Sequence, residues 1–118
     1  MRIQAWTVAV ALFSASGAAA ADVTVDEDRL VGEWCLDYLE GGGEKEVENM
    51  NYEFLPDGKF RYQTSEYSDK MSEGTYEISG NELKLKPTMR TLKVQTLNDR
   101  EMTGKWFMLH HFSRGRCS

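Results

Sequence analysis

From residue 30 onward the chain alternates apolar and polar side chains in short segments. Residues 30–39 place Trp34, Leu36 and Tyr38 on one face and Cys35 on the other. This period of two is typical of a β-strand with one buried face. The segment predicts the first strand of a sheet.

Two hairpins are predicted further along the chain. Their strands alternate in the same way, and the residues between them are the Pro, Asp, Gly and Asn types that favour tight turns. The predicted strands are residues 50–55 and 59–65 around Pro56-Asp57-Gly58, then residues 71–78 and 82–86 around Ser79-Gly80-Asn81.

Two more strands follow Pro87, which interrupts strand pairing. Residues 90–97 point Leu92 and Val94 inward, and residues 100–114 form a long last strand that is bulged or divided at Gly104. Seven or eight short antiparallel strands, mostly of 5 to 7 residues, result. The regular turns favour an all-β, up-and-down meander closed into a small barrel, with a sandwich as the second choice.

Two segments lack the strand pattern. Asp26-Glu27-Asp28 suits the first turn of a short helix of one or two turns, because acidic side chains favour a helix N-terminus. Residues 40–49 are rich in glycine and charge, which predicts a mobile surface loop.

The first 21 residues are typical of a secretory signal peptide. Arg2 precedes an apolar run over residues 5–13, and small residues fill positions 16–21. We expect cleavage near Ala20 or Ala21, which leaves one domain over residues 22–118 in the periplasm or outside the cell. Removal takes one of 14 basic side chains and none of the 19 acidic ones, so the formal charge moves from −5 to −6. An acidic surface disfavours nucleic acid and anionic membranes as partners.

Both cysteines lie in this exported part. An even pair in an oxidising compartment predicts a disulfide between Cys35 and Cys117, whereas a metal or redox pair needs closer spacing in the sequence. Closing a loop of this length stabilises a fold by roughly 4 to 5 kcal/mol in the chain-entropy model.

Gly32-Glu33-Trp34 at the first strand, Gly74-Thr75-Tyr76 and Gly80-Asn81-Glu82-Leu83 together resemble the small bacterial lipocalin-like proteins. The similarity extends from about residue 30 to residue 116. The resemblance implies that Trp34 plugs one end of the barrel, next to Gly32, and that a basic residue of the last strand lies across it. Arg114 and Arg116 both suit that role, because a bulge at Gly115 would exchange them.

The resemblance also implies a non-catalytic binding protein without a cofactor. Large side chains are expected in the interior, and short strands leave them little room. We expect ligand contacts from Trp34, Tyr52, Tyr62, Tyr76 and Trp106, and further interior packing from Phe54, Phe60 and Phe112.

Other motifs carry little chemistry. His110 and His111 are adjacent in a strand and therefore face opposite sides, which disfavours one shared metal site. No residue spacing suggests a nucleophile with a base, and the acidic clusters are expected to be solvated. Gly41-Gly42-Gly43 lacks the Lys-Ser/Thr of a phosphate loop and suits a flap at the barrel mouth or a plain connection.

Phe107 and Leu109 place apolar side chains on the outer face of the last strand. We expect the N-terminal segment to cover them, with an exposed contact patch as the alternative. The leading hypothesis is an exported barrel that binds a small apolar or amphipathic ligand. The alternative is a periplasmic protein-binding module, such as an inhibitor, that acts through residues 41–48 and 66–70 and an acidic surface.

Overall fold

A computed structural model describes residues 23–118, and the predicted leader lies outside the described residues. Eight antiparallel strands form a closed barrel in which each strand pairs with its neighbours in the sequence and the last pairs with the first. The barrel is confirmed, and the sandwich alternative is wrong. The elements are α1 Glu27–Leu30, β1 Gly32–Gly41, β2 Glu44–Leu55, β3 Lys59–Gln63, β4 Met71–Ser79, β5 Glu82–Lys86, β6 Arg90–Leu97, β7 Glu101–Trp106 and β8 Met108–Arg114.

The core lies inside the barrel because alternate residues of every strand point there. Aromatic rings fill much of it, and Phe54 and Phe60 stack with their ring centroids 5.6 Å apart. The remaining core side chains are mainly aliphatic. The buried apolar residues are Val25, Leu30, Trp34, Cys35, Leu36, Tyr52, Phe54, Phe60, Tyr76, Leu83, Leu85, Leu92, Val94, Met102 and Phe112.

The prediction of a loop over residues 40–49 is wrong. β1 and β2 continue as a paired ribbon to Gly41 and Glu44, and only Gly42 and Gly43 form the turn, with φ angles of 59° and 81°. Both values are positive, as a two-residue hairpin turn requires. The ribbon lacks apolar periodicity because it extends beyond the core, with residues 44–47 exposed. β1 has 10 residues, the length predicted, whereas β2 has 12 and begins well before the predicted strand at residues 50–55.

The expected division of the last strand at Gly104 is also wrong. The chain reverses at Phe107, whose φ is 62°, and Trp106 pairs with Met108 across the turn. Gly104 lies within β7, where an added Cβ would approach the Leu92 side chain to 3.1 Å. Phenylalanine is not a turn-forming residue, so the sequence concealed this reversal.

Tyr38 faces outward, contrary to the prediction that it shares a face with Leu36. The pairing register of β1 shifts between Leu36 and Tyr38 against both neighbouring strands. This bulge places Tyr38 against His111 with stacked rings 4.2 Å apart, and it turns Leu39 toward the interior of the barrel.

The turns of an up-and-down barrel alternate between its two ends. One end, here called the closed end, carries α1 and the turns before β3, β5 and β7. The other, the open end, carries the turns before β2, β4, β6 and β8. Over residues 23–118, no helix has the length and apolar composition to cross a bilayer.

Candidate functional site

The closed end is sealed around Trp34, which has no exposed surface. Its Nε1 donates a hydrogen bond to the Leu30 carbonyl at 2.8 Å, which ties α1 over the barrel. Arg114 Cζ lies 3.9 Å from the centre of the Trp34 ring. The guanidinium also donates to the Val31 and Asp99 carbonyls at 3.2 Å each and to that of Arg29. Arg114 therefore joins the first strand, the helix and the turn before β7.

Arg116 lies outside the barrel instead. Its Nη1 is 3.7 Å from Glu33 Oε2, and both side chains are exposed. Gly115, between the two arginines, has a φ of 101°, and this backbone conformation directs their side chains to different places. Gly32 has a φ of 130°, and an added Cβ there would lie 3.1 Å from Arg114 Nη1. Glycine at position 32 is thus required by both the backbone and the space that Arg114 occupies.

Tyr76 also belongs to the closed half. Its hydroxyl donates to the Leu55 carbonyl at 2.6 Å, beside the turn before β3. Trp34 and Tyr76 therefore lie away from the open end and line neither of the cavities found there. Their position indicates a packing role.

Two adjoining cavities of about 170 and 210 Å³ occupy the open end. They share one residue, Arg90, and both open to solvent. The smaller is lined by Leu36, Glu48, Met50, Tyr52, Tyr62, Gln63, Thr64, Thr88 and Arg90. The larger is lined by Leu39, Arg90, Trp106, Phe107, Met108 and His110. The structure thus places Tyr52, Tyr62 and Trp106 of the predicted ligand contacts at this mouth.

Arg90 was missed by the sequence analysis. Its Cζ lies 5.1 Å from the centre of the Trp106 ring, and its Nη1 lies 3.5 Å from His110 Nε2. No carboxylate among residues 23–118 lies within 4.0 Å of its guanidinium. The alternation of β6 could have indicated its position. Arg90 is two residues before the inward Leu92 and four before Val94, so its side chain points to the same face.

His110 and His111 point to opposite sides of β8, as strand alternation predicts. His110 Nδ1 is 3.0 Å from the Met108 carbonyl, which can only accept, so this nitrogen carries the proton and Nε2 is the acceptor toward Arg90. Burial lowers the pKa of His110, and the charge of Arg90 adds to that effect. His111 instead lies 2.9 Å from Glu40 on the outside. Within the described part of the chain, no group of three metal-ligating side chains converges.

Tyr52 and Glu48 bring polar atoms to the smaller cavity. Tyr52 is buried, and its hydroxyl has no hydrogen-bond partner within residues 23–118. Burial raises the pKa of this hydroxyl, and the charge of Arg90 opposes the shift. Burial also raises the pKa of the Glu48 carboxyl, as do a hydrogen bond and repulsion from Glu46, while the charge of Arg90 opposes the shift.

Exposed apolar side chains surround the open end. Tyr67, Met89 and Phe107 are 91%, 75% and 81% exposed, and each lies in a turn or loop of that end. The expected cover over Phe107 is wrong for the described residues, because Val25 N donates to the Gly80 carbonyl at the opposite end. Leu109 is only partly exposed.

The comparisons with known proteins agree with this architecture. The family model of the lipocalin-like domain matches residues 30–104, which is more than half of the chain. The chain belongs to this family of lipocalin-like domains, whose fold suggests a binding protein.

Two solved structures show the same fold. A lipocalin-like protein from Bacteroides uniformis aligns with a TM-score of 0.61 and 19% identity, over 74% of this chain and 99% of that one. An uncharacterised protein from Bacteroides eggerthii has a TM-score of 0.61 and 18% identity, over 73% and 99% of the two chains. No curated protein matches the sequence.

Proposed function

We propose that this chain is a non-catalytic binding protein, exported to the periplasm, that holds a small apolar or amphipathic molecule at the open end of its barrel. The observation that carries the proposal is the pair of adjoining cavities that meet at Arg90. Concave sites with apolar walls and a few polar groups are the usual form of small-molecule sites.

The depth of the site follows from the packing below it. Phe54 and Phe60 have no exposed surface and fill the barrel beneath Tyr52. The ligand volume is therefore restricted to the mouth, and a long chain threaded through the barrel does not fit. The larger cavity supplies the apolar wall, through Leu39, Trp106 and Met108.

A second function, binding of another protein, is favoured by a separate observation. Tyr67, Met89 and Phe107 stand exposed around one end of the barrel, and a concentration of exposed apolar side chains at one end suits an interface. The acidic surface of the mature chain would steer a cationic partner.

Native mass spectrometry of the protein purified from the periplasm of its own organism tests both functions. A small-molecule ligand adds a mass of a few hundred daltons at most, and a protein partner adds kilodaltons. The mass of the polypeptide itself locates the cleavage site, which we expect near residue 21. A polypeptide that retains residues 1–21 would contradict export by signal-peptide cleavage.

Two matched variants separate the surfaces. Trp106→Ala removes the wall of the larger cavity, and Tyr67→Ser changes an exposed rim residue that lines neither cavity. Loss of the bound mass in Trp106→Ala alone supports the ligand function. Loss in Tyr67→Ser alone supports a protein partner, and a protein recovered without any bound species contradicts both.

A further inference from the structure

We propose that the open end is selective for a small organic monoanion, with its carboxylate at Arg90 and a compact apolar body in the larger cavity. This inference rests on the proposed small-molecule function. It adds the charge and the size of the ligand.

Arg90 is a charge on the inward face of a barrel strand. It precedes Leu92 and Val94, which are 0% and 1% exposed, with the same side-chain parity. Arg90 is partly buried and lines both cavities, which open to solvent. Its guanidinium contacts the Trp106 ring, 5.1 Å away, and His110 Nε2 at 3.5 Å, and Glu48 lines the smaller cavity more than 4.0 Å from it. No described carboxylate forms an ion pair with Arg90, so a ligand carboxylate can reach the guanidinium from the open end.

The geometry of His110 prevents it from being a counterion and orients the guanidinium. Its Nδ1 donates a proton to the Met108 carbonyl at 3.0 Å. Its Nε2 faces Arg90, which can only donate, so Nε2 carries a lone pair and the ring is neutral. One guanidinium N–H group points to this lone pair. The others remain for a carboxylate, whose two oxygens match the planar fork of an arginine.

Two other polar side chains of the smaller cavity, Gln63 and Thr88, are already paired. Gln63 Nε2 donates to the Ser65 and Ser68 carbonyls at 2.9 and 2.8 Å, and Gln63 Oε1 accepts from the Asn51 backbone at 2.9 Å. Thr88 Oγ1 donates to the Leu85 carbonyl at 3.1 Å. The remaining donors of this site are Arg90 and the hydroxyls of Tyr52, Tyr62 and Thr64.

Glu48 limits the ligand to a single negative charge. Its side chain lines the same cavity as Arg90 without lying within 4.0 Å of the guanidinium. A second anionic group on the ligand would meet this carboxylate. Glu48 therefore disfavours dianions such as phosphate monoesters.

The size of the body follows from the larger cavity. A cavity of about 150 Å³ is known to hold benzene. The volume of about 210 Å³ here, lined by Leu39, Trp106 and Met108, suits a body of roughly eight to ten non-hydrogen atoms. Aryl and branched alkyl carboxylates have this size, and long-chain fatty acids exceed it.

Calorimetric titration of the intact, ligand-free mature protein with two matched probes tests the charge. The probes are 3-phenylpropionate and its neutral analogue 3-phenylpropan-1-ol. We expect the carboxylate to bind about tenfold to a hundredfold more tightly, the usual contribution of hydrogen bonds to a charged group. Palmitate is the size control and is expected to bind more weakly than 3-phenylpropionate.

Three substitutions assign the selectivity to residues. Arg90→Gln is expected to abolish the preference, so that the carboxylate and the alcohol bind about equally. Glu48→Gln is expected to strengthen carboxylate binding, because a like charge is removed. The matched control is Lys93→Gln, which removes the same positive charge from the exposed face of the same strand and should change neither affinity.

The outcomes separate this inference from the proposed function. If the alcohol and the carboxylate bind equally, or if the preference survives in Arg90→Gln, the mouth binds small molecules but the anion site is refuted. If palmitate binds more tightly than 3-phenylpropionate, the size limit is refuted. If neither phenylpropyl probe binds, the proposed ligand site fails together with the inference.

Discussion

At the scale of single residues, the closed end depends on Arg114. Its guanidinium lies over the Trp34 ring and hydrogen-bonds the carbonyls of Arg29, Val31 and Asp99. A cation over an indole ring stabilises a fold by about 0.5 to 2 kcal/mol. Removal of Arg114 would also leave each of these carbonyls without its donor, which adds to the cost. This one side chain of β8 contacts both residues 29–34 and the turn before β7.

Substitution of Arg114 tests this role. Arg114→Met keeps a long side chain but removes the donors, so we expect the free energy of unfolding to fall by about 2 to 3 kcal/mol. Arg116→Met, the control, breaks an exposed ion pair and should change it by less than about 0.5 kcal/mol. Urea denaturation of both variants measures the difference. Equal effects would contradict the role of Arg114.

His110 predicts a pH dependence of stability. Its pKa is lowered by burial, by the charge of Arg90 and by that of His111, while the Met108 carbonyl opposes the shift. The unfolded chain therefore takes up this proton before the folded chain does, as the pH falls below about 6.5. The stabilising contribution is present above that pH and is lost as the pH falls toward the lowered pKa.

The measurement is the free energy of unfolding at several pH values for the wild type and His110→Gln. The wild type should lose more stability than the variant between about pH 7.5 and 5. Glu48, whose pKa is raised, acts in the opposite direction, but it is present in both proteins and leaves the comparison unchanged. Parallel pH profiles would show that His110 is not protonated differently in the folded state.

Some residue-level features were accessible from the sequence and others were not. The inward position of Arg90 was accessible, because it shares the strand parity of Leu92 and Val94. The choice between Arg114 and Arg116 was not accessible, because it depends on the φ of 101° at Gly115. Glycine permits that conformation without requiring it.

At the scale of elements, the barrel is tightest where β4 lies between β3 and β5. A Cβ at Gly74 would fall 2.1 Å from the Lys86 carbonyl oxygen and 2.7 Å from the Phe60 ring. Neither approach is compatible with a side chain. The glycine of Gly74-Thr75-Tyr76 thus allows the backbones of β4 and β5 to approach beside the core.

Gly74→Ala is therefore expected to destabilise the fold by about 1 to 3 kcal/mol or to prevent folding, the usual effect of overpacking. Ser79→Ala, an exposed position on the same strand, is the control and should have little effect. Thermal unfolding followed by circular dichroism compares the two variants. A Gly74→Ala protein as stable as the control would refute the close approach.

Element boundaries were predictable where turn residues marked them. Pro56-Asp57-Gly58 and Ser79-Gly80-Asn81 were sufficient for the turns before β3 and β5. The reversal at Phe107 was not, because its residue type and the alternation around it match a continuous strand. The outer half of the β1–β2 ribbon was missed for another reason. Strand pairing needs no apolar alternation where neither face is buried.

At the scale of the whole molecule, the predicted disulfide is confirmed between Cys35 and Cys117, 82 residues apart. It ties the C-terminal residues to the outside of β1. A hydrogen bond from Cys117 N to Asn51 Oδ1 at 2.7 Å holds the same C-terminal residues against β2. The disulfide therefore links the first strand to the C-terminal residues and encloses most of the domain in one covalent loop.

Removal of the bridge should lower the free energy of unfolding by roughly 4 kcal/mol, because the unfolded chain regains the entropy of a long loop. The double variant Cys35→Ala/Cys117→Ala and the reduced wild type should behave alike in denaturation experiments. A loss below about 1 kcal/mol in both would contradict this entropic account of the bridge.

The fold of the whole molecule followed from the turn-separated alternation, whereas the ligand site did not. A barrel places residues of β2, β3, β6, β7 and β8 around one mouth, and their meeting depends on how far each strand extends past the core. Tyr52 and Tyr62 were predicted from their inward parity and aromatic type. The contacts of Arg90 with Trp106 and His110 required the three-dimensional arrangement.

The placement of the N-terminal side of the domain, opposite the mouth, has a practical consequence. Val25 lies beside the turn at Gly80, at the closed end, whereas Cys117 is held on the wall of the barrel near Asn51. A tether joined on the N-terminal side of the domain would leave the cavities facing the solution. The barrel can therefore be immobilised on a sensor surface or displayed on a carrier with its binding end unobstructed.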